Sequence, residues 1–155
     1  VDDIALQRLR QARENNVVKV NLDSDIQKQL TAAKSQKERQ KIAFRYIMDN
    51  LRGVYSAPDR RTVAIERVGA SKITSIDRRD KLRACPALAE MIKAGEYDHS
   101  ARGEDKHNKK FEEFVYYRVR VKMGDDIYKG LLNVGIRKDG SSTLYDLRPF
   151  DIEKK

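Results

Sequence analysis

The stretch Phe111–Met123, FEEFVYYRVRVKM, with its continuation 124–147, GDDIYKGLLNVGIRKDGSSTLYDL, decides the fold. Successive strand side chains point to opposite faces, so a two-residue alternation marks a half-buried strand. Val115, Tyr117, Val119, Val121 and Met123 share one face, and Tyr116, Arg118, Arg120 and Lys122 share the other. Gly124-Asp125 suits a two-residue hairpin, where positive φ is needed. The return segment then adds Tyr128, Leu132, Val134 and Ile136 to the apolar face, and Lys129 and Asn133 to the basic one. Lys138-Asp139-Gly140 signals a second hairpin. With a glycine bulge there, Leu144 enters the core while Thr143 and Tyr145 face the basic side. A tight two-residue turn reverses this, and burial of Leu144 favours the bulge.

Upstream, helical spacing dominates. Asp2 or Asp3 can cap a short helix carrying Ile4, Leu6 and Leu9, and Val17–Leu22 alternates like a short strand. Ser24 followed by Gln27 reads as a capping box for a long helix. Ile26, Leu30, Ala33, Ile42, Tyr46 or Ile47, and Leu51 form its stripe, and Gly53 stops it. Lys34–Lys41 is nearly all polar and reads as a solvated face of that helix or a break rather than as a functional basic patch. Thr62–Val68 reads as a strand after a turn at Pro58-Asp59. Residues 71–82 fit a short helix or two turns. Pro86 opens a helix whose apolar face is Leu88, Met91 and Ile92, ended by Gly95. Residues 98–110 have no period and read as an exposed loop. The expected fold class is therefore α+β. A helical N-terminal part or extension (1–57) precedes a domain (58–155) built on a small twisted antiparallel sheet, with one helix-packed face and one basic face.

Composition narrows the partners. The 155 residues suit one domain, and 33 Lys and Arg against 24 Asp and Glu give a net charge of +9. Such an excess favours polyanions, although a basic chain can also be merely soluble or bind an acidic protein. Cys85 is the single cysteine, which excludes an internal disulfide and a multi-thiolate metal site; among apolar neighbours it reads as a packing residue. No apolar run approaches the roughly 18 residues of a membrane span, and no secretory segment is evident. A chain beginning at Val1 suggests a processed product or a domain of a longer polypeptide.

Arg118, Arg120, Lys122 and Lys129 lie close together on adjacent strands in this reading. Like charges opposite one another cost stability unless an anion lies between them, which points to phosphate. Tyr116 and Tyr145 offer flat faces for base stacking. The competing reading is a solvated outer sheet face. His99 and His107 are the two histidines. Either can supply a general acid or base, and Lys106, Lys109 and Lys110 around His107 favour it. Their spacing makes a poor metal site. No nucleotide-binding glycine motif, nucleophile elbow or zinc spacing occurs, so neither a metal nor another cofactor is expected. Without a metal, phosphodiester cleavage is simplest in RNA, where the 2′-hydroxyl attacks its own phosphorus.

From about residue 72 onward the chain resembles the barnase/EndoU/colicin/RelE-like nuclease superfamily, in its phage and polymorphic-toxin branch. The likeness rests on the short helix within CPALAEMIKAGEY, the loop through His107, the paired Tyr116-Tyr117, the hairpin from Gly124 to Tyr128, and Tyr145-Asp146. The resemblance implies a metal-independent endoribonuclease toxin, often directed at tRNA and neutralised by an immunity or antitoxin protein. It also implies an effector, secreted or phage-delivered, acting in the cytoplasm of a target bacterium. The recurrent catalytic elements of that superfamily map to His107, to Arg118 or Arg120, and to Thr143 with Tyr145. Tyr116 would contact bases, and Lys109, Lys110, Lys122 and Lys129 the RNA backbone. The rival expectation is a non-catalytic nucleic-acid-binding module of a phage or mobile-element polyprotein, needing the cations but neither histidine. ADP-ribosyl transfer is a third, for which no cofactor site is visible.

Overall fold

The computed structural model describes residues 3–4, 16–102 and 110–153. Its frame is the three-stranded meander of β5 (Phe111–Met123), β6 (Asp126–Arg137) and β7 (Ser142–Ile152). Met123 pairs with Asp126 across the two-residue turn at Gly124, where φ is +63°. At the second turn Gly140 takes φ +88°, and the Arg137 N–H donates to the Ser141 carbonyl. This is the bulged turn, and it puts Leu144 in the core, 1% exposed.

The meander widens into a mixed seven-stranded sheet. β1 (Val17–Val20) runs parallel to the end of β5, and β4 (Glu96–Arg102) runs antiparallel to its start, so the two lie end to end along one edge. On the far side β3 (Thr62–Ile65) joins β7 in parallel and β2 (Gly53–Ser56) closes the sheet. The α+β class holds, but three expectations need correction. A strand precedes the helices, the sheet is mixed rather than purely antiparallel, and the supposed loop from residue 98 begins inside β4. The boundary expected at residue 57 falls in the β2–β3 hairpin, and both sides of it share one sheet and one core.

Helices cover the face carrying Val115, Tyr117, Val119 and Val121. They are α1 (Asp25–Ala32), α2 (Gln36–Tyr46), α3 (Arg67–Ile73), α4 (Arg79–Ala84) and α5 (Leu88–Ala94). The long helix expected from Ser24 to Leu51 is broken between α1 and α2. The cap that forms is Ser35 with Glu38: the Ser35 hydroxyl accepts from the Glu38 N–H at 3.1 Å, and the Glu38 carboxylate from the N–H of Lys34, one residue before the N-cap, at 2.9 Å. Gln27, assigned to a cap by sequence, instead donates to the Arg83 carbonyl at 2.7 Å and ties α1 to α4. A wider turn, Ile47–Leu51, ends α2, and the Tyr55 hydroxyl donates to its Leu51 carbonyl.

Ile47, Ile73, Leu82, Leu88, Met91 and Ile92 fill the space between helices and sheet. Each such side chain stabilises by about 1.5–3 kcal/mol on leaving water. Cys85 is buried there, and burial pushes its thiol up to about 12. Among the described residues Lys81 of α4 forms a buried ion pair inside this layer with Asp146 of β7, at 3.1 Å. No helix among the described residues is long and apolar enough to cross a membrane.

Candidate functional site

The sheet face away from the helices carries a cleft of about 640 Å³. Arg118 and Arg120 of β5, Lys129 of β6 and Glu96 and Asp98 of β4 line it, with Asp151 and Glu153 at the end of β7. The strand alternation that buries Val119 and Val121 aims Arg118 and Arg120 into it. Arg120 sits opposite Lys129 and Lys129 opposite Asp151, so the like-charged pair is followed by a carboxylate in the next strand.

This face is not the purely basic one expected. Arg120 makes a two-pronged pair with Glu153 at 3.1 and 3.3 Å. Arg118 reaches Glu96 and Asp98, each at 3.4 Å. The anion required between neighbouring cations is supplied by the chain's own carboxylates. The Arg118 pairs are half-exposed and long, the kind worth about 0–1 kcal/mol, so an incoming phosphate can displace them at small cost; the Arg120–Glu153 pair is shorter and two-pronged.

A bulge in β4 shapes the rim. Tyr97 pairs with Tyr117 and His99 with Tyr116, leaving Asp98 as an extra residue. In regular alternation Asp98 and His99 would point to opposite faces; the bulge turns both toward Tyr116 and Arg118. The His99 ring stacks on Tyr116 with centroids 4.4 Å apart. Its Nδ1 bonds Asp98 Oδ2 at 2.5 Å, and Asp98 Oδ1 faces the Arg118 guanidinium. His99 is thereby oriented by a carboxylate on one nitrogen, and the same carboxylate pairs with the Arg118 guanidinium. Among the described residues no three His, Cys, Asp or Glu side chains are grouped to hold a metal ion.

Behind the rim, Tyr117 is buried and donates to Asp59 at 2.8 Å. Burial first, and then Asp59, raises its hydroxyl to about 12. This anchors β5 to the turn before β3 and keeps Tyr116 and Arg118 in place.

Residues 34–145 match the large polyvalent protein-associated domain 3 family. The chain belongs to that family. No curated protein and no solved structure matches it. The matched region of this polyvalent protein-associated domain contains Glu96, Asp98, His99, Tyr116, Arg118, Arg120 and Lys129, and stops short of Asp151 and Glu153.

The domain brings together Tyr116, Arg118, Arg120 and Lys129 of the residues singled out by sequence. Lys110 and Lys122 are exposed near the two ends of β5. His107 and Lys109 lie outside the described residues. Thr143 and Tyr145 are not in the cleft. Thr143 is fully buried and donates to the Ala64 carbonyl at 3.3 Å, joining β7 to β3. Tyr145 packs against Phe111 and Phe114 at 5.5 and 5.6 Å between centroids, with the Lys72 ammonium over its ring. The carboxylates Glu96, Asp98, Asp151 and Glu153 were missed. β4 is a largely exposed edge strand without an apolar period, and Arg148-Pro149 reads as a strand end although β7 continues beyond it.

Proposed function

We propose that this domain is a metal-independent endoribonuclease module of a large polyvalent phage or mobile-element protein. The observation carrying the reading is the β4 bulge, which sets an Asp98-oriented His99 beside Arg118 on the rim of a cleft sized for a nucleotide. In this reading a phosphate displaces Glu96 from Arg118 and binds the Arg118 and Arg120 guanidinium groups, which are suited to a developing phosphorane charge. The freed Glu96 takes the proton of the 2′-hydroxyl, the 2′-oxygen bonds to phosphorus, and the bond to the 5′-oxygen breaks. His99 gives that leaving oxygen its proton. The products are a 2′,3′-cyclic phosphate and a 5′-hydroxyl. Tyr116, already stacked under His99, offers its ring edge to a base.

The test is purified protein with total bacterial RNA in EDTA, resolved on a denaturing gel, beside His99→Ala and Arg118→Ala. Discrete fragments from the wild type alone support the reading. Cleavage that EDTA abolishes, or that both variants retain, refutes it.

A second reading has an observation of its own. Arg118 and Arg120 are already neutralised by carboxylates, as suits a binding module whose cleft exchanges internal ion pairs for phosphates without turnover. RNA retained at low salt with no cleavage under any condition favours it. The association of the family with polyvalent proteins accommodates both.

A further inference from the structure

The cleft does not hold the chain's excess positive charge; its cations are matched by carboxylates. The excess is concentrated instead on the helical layer, where residues 34–52 carry six Lys and Arg against two acidic residues. On α2, Lys37, Lys41 and Arg45 follow one another at every fourth residue. At 3.6 residues and 5.4 Å per turn they form a row about 12 Å long within roughly 80° of the helix circumference. Ala43 and Ile47 are buried on the opposite side, so the row faces solvent, and all three side chains are exposed. Phe44 flanks the row, and the Arg67 guanidinium from α3 sits over its ring at 5.5 Å. A second element thus adds a fixed cation to the same surface. Among the described residues, none of these four cations makes an ion pair. Glu38 is turned back to cap the Lys34 N–H, and the exposed Asp49 stands at the far end of the row. Like charges four residues apart destabilise a helix, unless an anionic polymer lies along them.

We infer that Lys37, Lys41, Arg45 and Arg67 form a phosphate-tracking surface on the helical face, opposite the cleft, that binds the backbone of a nucleic acid without reading its sequence. The four-residue repeat gives a cation about every 6 Å, which suits a chain of repeating phosphates. Arg67, held over the Phe44 ring, presents a guanidinium that can bind phosphate. This inference stands whether or not the cleft cleaves RNA.

The experiment is fluorescence anisotropy of a labelled 2′-O-methyl RNA oligonucleotide, which cannot be cut by 2′-hydroxyl attack, titrated with the full chain over a salt series. The variants are K37Q/K41Q/R45Q/R67Q, the charge-keeping K37R/K41R/R45K, and R118Q/R120Q in the cleft. Each lost phosphate contact lowers the slope of log K against log salt by about 0.7 on a single strand. The fourfold variant should therefore lose roughly three units of slope, the charge-keeping variant almost none, and the cleft variant less than the fourfold one. An unchanged slope in the fourfold variant overturns the inference, as does a loss confined to the cleft variant. So does labelled poly-glutamate that binds as tightly and loses affinity in the same variant, because the surface would then select acidic polymers rather than phosphate backbones.

Discussion

Replacing Asp146 by Ala tests the interior of the fold. Lys81 Nζ lies 3.1 Å from Asp146 Oδ1, and the two side chains are 5% and 7% exposed. The same oxygen accepts the Leu147 N–H at 2.8 Å. Truncation takes that carboxylate from both, leaving a buried lysine charge without its counter-ion and the Leu147 N–H without this acceptor. Breaking such a pair from one side costs about 3–5 kcal/mol. In a chain of this size each kcal/mol moves the melting temperature by about 2–4 °C, so a fall of roughly 10 °C is expected. Removing both charges with Lys81→Met and Asp146→Leu should recover most of the loss, since a packed apolar pair often equals or exceeds a buried ionic one. Urea unfolding with an unchanged m-value is the assay. A cost under about 1 kcal/mol for Asp146→Ala, or a double variant no more stable than the single one, would show that the pair is not a buried, coupled one.

Three further outcomes are expected. A Cβ on Gly69 would lie 1.9 Å from the Leu144 carbonyl oxygen, whereas one on Gly135 meets the Phe111 ring at 2.6 Å. Gly69→Ala should therefore destabilise more than Gly135→Ala, by upwards of about 1–3 kcal/mol, read by thermal unfolding. The Tyr117 hydroxyl is raised to about 12, so its contribution is complete below about 10 and is lost as pH rises from there. Tyr117→Phe should flatten the alkaline fall of the urea midpoint. The Glu66 carboxyl is held low, chiefly by Arg137 at 2.7 Å and against its own desolvation. Its contribution is present above the ordinary carboxylate range near 4 and lost as pH falls below it, and Arg137→Gln should shallow that acid limb.

The meander was legible because β5 from Val115 to Met123 is buried on one face only, and half-burial imprints a two-residue period; at its other end Phe111, Phe114 and Tyr145 cover the second face. Gly140 and the need to bury Leu144 were enough to choose the bulged turn. The edges were not legible. Glu96–Arg102 has only its partner strand to organise it, so no apolar alternation marks it, and the bulge at Asp98 would have broken any that existed. The parallel pairings of β1 with β5 and β3 with β7 depend on crossovers that local pattern does not encode. The polar run at Lys34 concealed the Ser35/Glu38 cap, because Glu38 reads equally well as a solvated helical residue. Of the site, Arg118, Arg120, Lys129 and Tyr116 followed from the strand period. Their carboxylate partners come from strands 22 and 33 residues away in the chain, and no local signal could have joined them.

In the proposed function His99, oriented by Asp98, moves a proton at a phosphodiester held by Arg118. The most direct measurement is the mass of the RNA 3′ ends formed in EDTA by the wild type and by His99→Ala at equal concentration. The wild type should give 2′,3′-cyclic phosphate ends, and the variant at least about a hundredfold less product. Cyclic ends formed equally fast by both proteins, or no cleavage by either, would contradict that role.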